Sequence, residues 1–248
     1  MLREAVGGAI VFVLGCGRLE FAPSGGDARD VVDVPAPDAG MAVQFVHTTT
    51  YIDPGNQVAS TLTVPATTPG NLLVLATINS NVGFVAEPIS AITDDAGNTY
   101  VDIGLQASWE TMQGLVQLRY VANAMGPVTT VTITSAAATY RTAWLVEFAD
   151  VAQVDPLVAA AKTEDVLDAP TRSAAVVTAP AGSAVLSIMM IEGMVIAVEP
   201  SSPFTALPSI NGDSGAYHVP VTEGLTGAVW TAPNSTYASS LTVAFKAR

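Results

Sequence analysis

From Met41 to Arg248 the chain is a succession of short apolar and β-branched runs broken by glycine, proline and asparagine, with no sustained stripe at helical spacing. That pattern restricts the fold more than any other feature. Strands need a two-residue period and close turns, whereas helices need a 3.6-residue period sustained over about 10 residues or more. The runs are Ala42 to Thr50, Val58 to Val64, Asn71 to Asn79, Ile89 to Thr93, Asn98 to Leu105, Gly114 to Ala122, Val128 to Ser135 and Tyr140 to Phe148. They continue with Pro156 to Thr163, Ser173 to Thr178, Ser183 to Ile191, Ala216 to Pro220, Gly227 to Thr231 and Tyr237 to Lys246. Their spacing is close to the ~8 to 12 residues of sandwiches and barrels. In Val128-Thr129-Thr130-Val131-Thr132-Ile133-Thr134, alternation turns Val131 and Ile133 inward and Thr130, Thr132 and Thr134 outward. Leu72-Leu73-Val74-Leu75-Ala76 and Val185-Leu186-Ser187-Ile188-Met189-Met190-Ile191 are apolar on both faces, which predicts central strands. Periodicity alone leaves a buried helix open for runs this short, and β-branched content favours strand. The fold expected is all-β, a two-sheet antiparallel β-sandwich.

The two doubly apolar runs are introduced alike, by Pro69-Gly70-Asn71 and by Pro180-Ala181-Gly182-Ser183. Each half then closes on a Thr-Tyr pair, Thr139-Tyr140 and Thr236-Tyr237, followed at equal intervals by Phe148 and Phe245. On a strand, Tyr140, Thr142, Trp144, Val146 and Phe148 share one face, as do Tyr237, Ser239, Leu241, Val243 and Phe245. The echo predicts related strand sets packed into one sandwich. Coincidence among Thr- and Val-rich strands is the competing account.

Ahead of the body, Arg3 precedes an apolar run from Val6 to Leu14 that is too short to cross a ~30 Å hydrocarbon core as a helix. It predicts a secretory h-region. Val13-Leu14-Gly15-Cys16 sets a small residue directly before the only cysteine and resembles a bacterial lipobox. The resemblance implies cleavage before Cys16, thioether diacylation of its sulfur and often acylation of the new amine. A buried core cysteine, or an ordinary signal peptide with an incidental cysteine, is the alternative. Gly17 to Gly40 holds Pro23, Pro35, Pro37, Asp27, Asp30, Asp33 and Asp38 with little periodic hydrophobicity, which predicts a flexible spacer. Asp30, Asp33 and Pro35 argue against an edge strand through Val31, Val32 and Val34. The expected organisation is a lipoprotein signal peptide over 1–15, an acylated Cys16 with an acidic Pro/Gly/Asp linker over 16–40, and a single sandwich domain over 41–248. Gly17 stands where aspartate would be the inner-membrane retention signal, so the expected location is the bacterial outer membrane or cell surface, by lipid anchor.

Four stretches carry a second resemblance. Gly70-Asn71-Leu72-Leu73-Val74, Ile92-Thr93-Asp94-Asp95-Ala96-Gly97-Asn98-Thr99-Tyr100, Tyr120-Val121-Ala122-Asn123 and Leu145-Val146-Glu147-Phe148-Ala149-Asp150-Val151 are similar to a recurrent bacterial secreted β-sandwich module. The resemblance implies a jelly-roll-like or concanavalin-like sandwich on exported proteins, with no catalytic residues to carry over.

Composition excludes several classes. A net charge of −13, with 9 Lys and Arg against 22 Asp and Glu, leaves no basic stripe for phosphates, so no nucleic-acid partner is expected. With a single cysteine, at position 16, the body can build neither a disulfide framework nor a thiolate metal site. Lys162 and Lys246 are the only lysines, and there is neither a Gly-x-Ser-x-Gly elbow nor a phosphate-cradling glycine loop.

Among candidate sites, Asp94, Asp95 and Asn98 gather oxygens in a turn with Asp102 beyond it, open to Ca²⁺. A hairpin turn asks for the same residues, with Gly97 supplying positive φ. Glu147 in an apolar strand is either a general acid of raised pKa or a solvated or arginine-paired group on the face of Arg141. Glu164, Asp165 and Asp168 read as a charged loop, and His47 and His218 are too few for a zinc site. Trp109, beside Glu110, is the candidate exposed ring for ligand stacking, Trp144 reads as core, and Trp230 fits either role. The expected function is a noncatalytic binding or structural role in the cell envelope, toward a glycan or protein partner. The alternative is a carbohydrate-active hydrolase or lyase, which requires two carboxylates ~5 to 9.5 Å apart in a groove. No cofactor is expected apart from Ca²⁺ at the Asp94 turn.

Overall fold

The computed structural model describes residues 41–53, 55–81, 85–109, 113–166, 171–191, 199–231 and 238–248. These fall within one compact unit, Ala39–Arg248. Cys16 and the 16–40 linker lie outside the described residues.

The described chain is all strand and turn. β1 (Gln44–Ile52), β2 (Gln57–Thr63), β3 (Leu72–Ser80), β4 (Ile89–Asp94), β5 (Val101–Trp109), β6 (Gly114–Val121) and β7 (Thr130–Ala149) make the first half. β8 (Leu157–Val166), β9 (Thr171–Ser173), β10 (Val177–Ala179), β11 (Ala184–Ile191) and β12 (Glu199–Pro200) open the second. It closes with β13 (Thr205–Ala206), β14 (Ser214–His218), β15 (Gly224–Thr226), β16 (Val229–Thr231) and β17 (Ala238–Phe245). Every strand pairing is antiparallel.

The expected antiparallel sandwich is the fold, and it is built twice. In the first half an inner sheet, β1-β7-β3-β6-β5, faces an outer one in which β2 and β4 flank the N-terminal part of β7. β7 serves both sheets, so the runs at Val128 to Ser135 and Tyr140 to Phe148 belong to one 20-residue strand. In the second half the inner sheet is β13-β14-β11-β17-β8, covered by the small sheets β12-β16-β9 and β10-β15. Alternation then sorts the side chains. Leu73 and Leu75 of β3 join Leu62, Val131, Ile133 and Leu145 in the first half's own core. Leu72, Val74, Ala76 and Ile78 turn the other way, onto Leu186, Ile188, Val243 and Phe245 of the second half. Val185, Met189 and Ile191 of β11 pack beneath Phe204, Val221 and Trp230. β3 and β11 are apolar on both faces because each has a core on both sides.

The echo in sequence is an echo in register. β3 pairs with β7 so that Leu72 meets Phe148, and β11 pairs with β17 so that Ala184 meets Phe245. Leu73 meets Val121 on β6 as Val185 meets His218 on β14. Phe45 meets Phe148 as Leu157 meets Phe245, each with a register shift at the following residue. The turns repeat as well. Gly70 N–H donates to Ala124 O and Ala124 N–H to Asn71 O, while Gly182 N–H donates to Val221 O and Val221 N–H to Ser183 O. Gly70 (φ 88°) and Gly182 (φ 79°) both hold the left-handed conformation that these turns demand. Coincidence of composition does not reproduce matching registers and turn hydrogen bonds, so the two halves are one strand plan used twice.

Some boundaries differ from expectation. Ser173 to Thr178 splits into β9 and the start of β10, which enter different small sheets, and the short β12, β13 and β15 carry too few residues for a periodic signal. Asn98 to Tyr100 is outside any strand, because Asn98 is drawn into the preceding turn.

Candidate functional site

The Asp94 turn is held by its own residues. Asp94 Oδ1 accepts the N–H groups of Ala96 (3.1 Å) and Asn98 (3.0 Å), and Oδ2 accepts Asn98 Nδ2 (2.9 Å) and Tyr100 Oη (3.1 Å). Asn98 Oδ1 in turn accepts Met125 N–H at 2.8 Å, and Gly97 (φ 74°) supplies the positive φ. Asp95 accepts Thr129 N–H and Oγ1 from the residue just before β7, contacts that hold its carboxyl below the ordinary carboxylate range. Burial first, and the Asp94 charge second, push the Tyr100 phenol well up. Asp102 pairs with Arg119 across β5 and β6 and accepts Gly104 N–H, so it is not joined to the Asp94 oxygens. Among the described residues no group of three or more His, Cys, Asp or Glu is gathered around a common point.

Trp109 closes β5 half-buried, with its ring against the shared core and its Nε1 enclosed without a hydrogen-bond partner among the described residues. Its neighbour Glu110 lies outside the described residues. Trp144 is fully buried and donates to Pro208 O at 2.8 Å, and Trp230 is fully buried in the second half. Glu164 belongs to strand β8, a correction to the loop reading. There it accepts Ser108 N–H and Oγ at 2.9 Å and lies 3.0 Å from Lys162 Nζ. Burial raises its carboxyl, but the Lys162 and Ser108 hydrogen bonds outweigh that and hold it below the ordinary value. The side chain of Asp165, and Asp168 altogether, fall outside the described residues.

Of the two readings of Glu147, the solvated or arginine-paired one is corrected: its partners are His47, Thr68 and Asn71. It is 1% exposed, and its Oε1 accepts Asn71 Nδ2 (2.6 Å) and Thr68 N–H (2.9 Å). Oε2 lies 3.0 Å from His47 Nδ1, close enough for an ion pair but without hydrogen-bond alignment, and His47 Nε2 is buried with no partner among the described residues. Arg141, also 1% exposed, donates to Asn79 Oδ1 (2.9 Å), Ser60 Oγ (2.5 Å), Ser135 Oγ (2.6 Å) and Ile133 O (3.3 Å). Ser60 passes the contact on to Asp53 at 2.9 Å. Burial pushes the guanidinium's pKa down, with Asp53 and Tyr51 opposing.

The repeat supplies an internal comparison. Glu147 and His47 are register partners in the first half, and the same positions in the second are Ala244 and Ala159. Thr68 and Asn71, whose donors reach Glu147, correspond to Pro180 and Ser183, so one of those donors is absent altogether. Asn79 and Arg141 pair where Ile191 and Ala238 pair. The polar groups are therefore features of the first half and not requirements of the strand plan.

One open feature lies on the flank of the first half. A groove of about 120 Å³ is lined by Ile89, Ser90, Ala91, Ile92, Tyr100 and Arg119. The Arg119 side chain is 15% exposed and its guanidinium meets Asp102, so the groove sets a largely buried, ion-paired cation beside the border of β4. No sequence signal identified it, because Arg119 meets β4 only through the stacking of two sheets. Comparison with protein-family models, curated proteins and solved structures finds no match.

Proposed function

We propose that this chain is an exported bacterial lipoprotein whose diacylated Cys16 and acidic 16–40 spacer hold a double β-sandwich at the outer membrane or cell surface, where it acts by noncatalytic contact with a partner. The observation that carries the noncatalytic part is how the acids are used. Asp94, Asp95, Asp102, Glu147 and Glu164 each accept donors from neighbouring backbone or side chains and so hold turns and strands together. The anchor is supported by the apolar run ending at Gly15-Cys16 and by the spacer after it. Among the described residues no helix is long and apolar enough to cross a membrane.

Intact-mass spectrometry of the full chain expressed in a Gram-negative host tests this. The membrane extract should contain a species beginning at an acylated Cys16, and Cys16→Ser should abolish both the mass increment and membrane retention. Recovery of the wild type with residues 1–15 attached and an unmodified thiol overturns the reading.

A further inference from the structure

The groove beside Arg119 is bounded by a strand border that no described strand occupies. β4 pairs with β7 on one side only. Asp95 N–H donates to Thr130 O, and the register sets Thr93 opposite Thr132 and Ala91 opposite Thr134. Antiparallel alternation then turns the main-chain N–H and C=O of Ile92 away from β7. Ile89 to Ile92 are consecutive and all line the groove, so it runs along the strand border and not over one face of the sheet. Both ends of that border are closed: Ile89 N–H donates to Gln117 Oε1 at 2.9 Å, and Asp94 O accepts Gly97 N–H at 3.2 Å. Its middle is open, with Arg119 and Tyr100 as the facing wall.

Arg119 is not demanded by the fold. It pairs in register with Leu75, and the corresponding pair in the second half is Ala216 with Ser187, where Ala216 is buried in that half's core. The first half therefore places a cation where its repeat places a methyl group. Arg119 meets Asp102, which is half exposed.

We propose that this groove receives a short extended, carboxylate-bearing peptide segment of a protein partner, which crosses the open middle of the border, pairs its main chain with Ile92 and sets its carboxylate on Arg119 in competition with Asp102. Main-chain pairing at Ile92 supplies the affinity, and the planar guanidinium selects the acidic side chain. At a net charge of −13 the molecule exerts no general attraction on acidic peptides, so recognition depends on this local contact. The proposal rests on the noncatalytic binding reading and names the partner class.

The probe is a fluorescent heptapeptide, Thr-Val-Thr-Asp-Thr-Val-Thr, titrated into the full chain in detergent, with its Asn analogue and cellohexaose as comparisons. The acidic peptide should bind and slow hydrogen exchange at the Ile92 amide. Arg119→Gln should weaken binding about tenfold and the Asn analogue should bind comparably weakly. Asp102→Asn removes the competing carboxylate and should tighten binding, a gain that misfolding cannot imitate. Absence of binding at millimolar peptide, affinity unchanged by both substitutions, or protection of Ile92 by cellohexaose instead of the peptide overturns the proposal. The mass of the anchored species is read independently, so a failed titration on an acylated chain removes the groove and leaves the lipoprotein reading intact.

Discussion

Arg141 and Glu147 lie on one face of one strand and are both 1% exposed, yet their polar partners come from different parts of the chain. An unpaired buried charge costs several kcal/mol, so each persists only because donors or acceptors converge on it. The second half solves the Arg141 position apolarly, with Ala238 beside Ile191. This sets up a direct test. Arg141→Ala alone should cost about 3 to 5 kcal/mol, because it leaves Asn79 and Ser135 buried without their partner. Adding Asn79→Ile, which copies the second half, should recover about 1 to 2 kcal/mol by replacing a stranded amide with packing. Urea denaturation measures both, and an additive loss in the double variant would contradict the argument. Glu147 stood out in the sequence as an acid in an apolar strand. Its partners did not, because His47 reaches it through the β1–β7 register and Asn71 from the turn that enters β3, both set by the assembled sheet.

The turn between Ile210 and Asp213 shows what an element adds to its residues. Asn211 (φ 52°) and Gly212 (φ 93°) form a two-residue reversal with reciprocal Ile210–Asp213 backbone hydrogen bonds, the geometry that Asn-Gly favours. The turn presents Asp213 to Thr142 Oγ1 on β7 (3.1 Å) and to the Ile191 N–H on β11 (3.4 Å). The residue is partly exposed, but its carboxyl is enclosed between the two inner sheets. Burial there pushes the carboxyl from its ordinary 3.8 up to about 7, against the two hydrogen bonds. The folded state therefore keeps a proton that the unfolded chain has released between those values, and stability contributed by this group is full below about pH 4 and lost as pH rises through about 7. Asp213→Asn should flatten that fall and raise stability at pH 8, by no more than about 4 kcal/mol at the ~1.4 kcal/mol that each pKa unit represents. Thermal midpoints at pH 5 and pH 8 decide it, and equal pH dependence in both proteins would refute the assignment.

Across the whole molecule, the central core joins Trp144, Val146 and Phe148 from the first half to Leu186, Val243 and Phe245 from the second. A shared interior of this kind should couple the halves into one transition. Trp144 reports on the central core and Trp230 on the second half's outer core. Urea curves of Trp144→Phe and Trp230→Phe, each compared across fluorescence and far-UV circular dichroism, should show coincident probes in each variant, and separated midpoints would mean that the halves unfold independently. The sequence by itself determined the strand class, the inward and outward faces of β7, the central status of β3 and β11 and the repeat of strands around them, because these follow from local period, glycine placement and burial on both faces. Only the tertiary structure decided that the plan is executed as two sandwiches sharing an interior, that Glu147 and Arg141 are buried among distant partners, and that Arg119 faces the border of β4. Those outcomes depend on which sheet lies over which, and sheet stacking is set by the summed burial of many side chains that no short stretch of sequence contains.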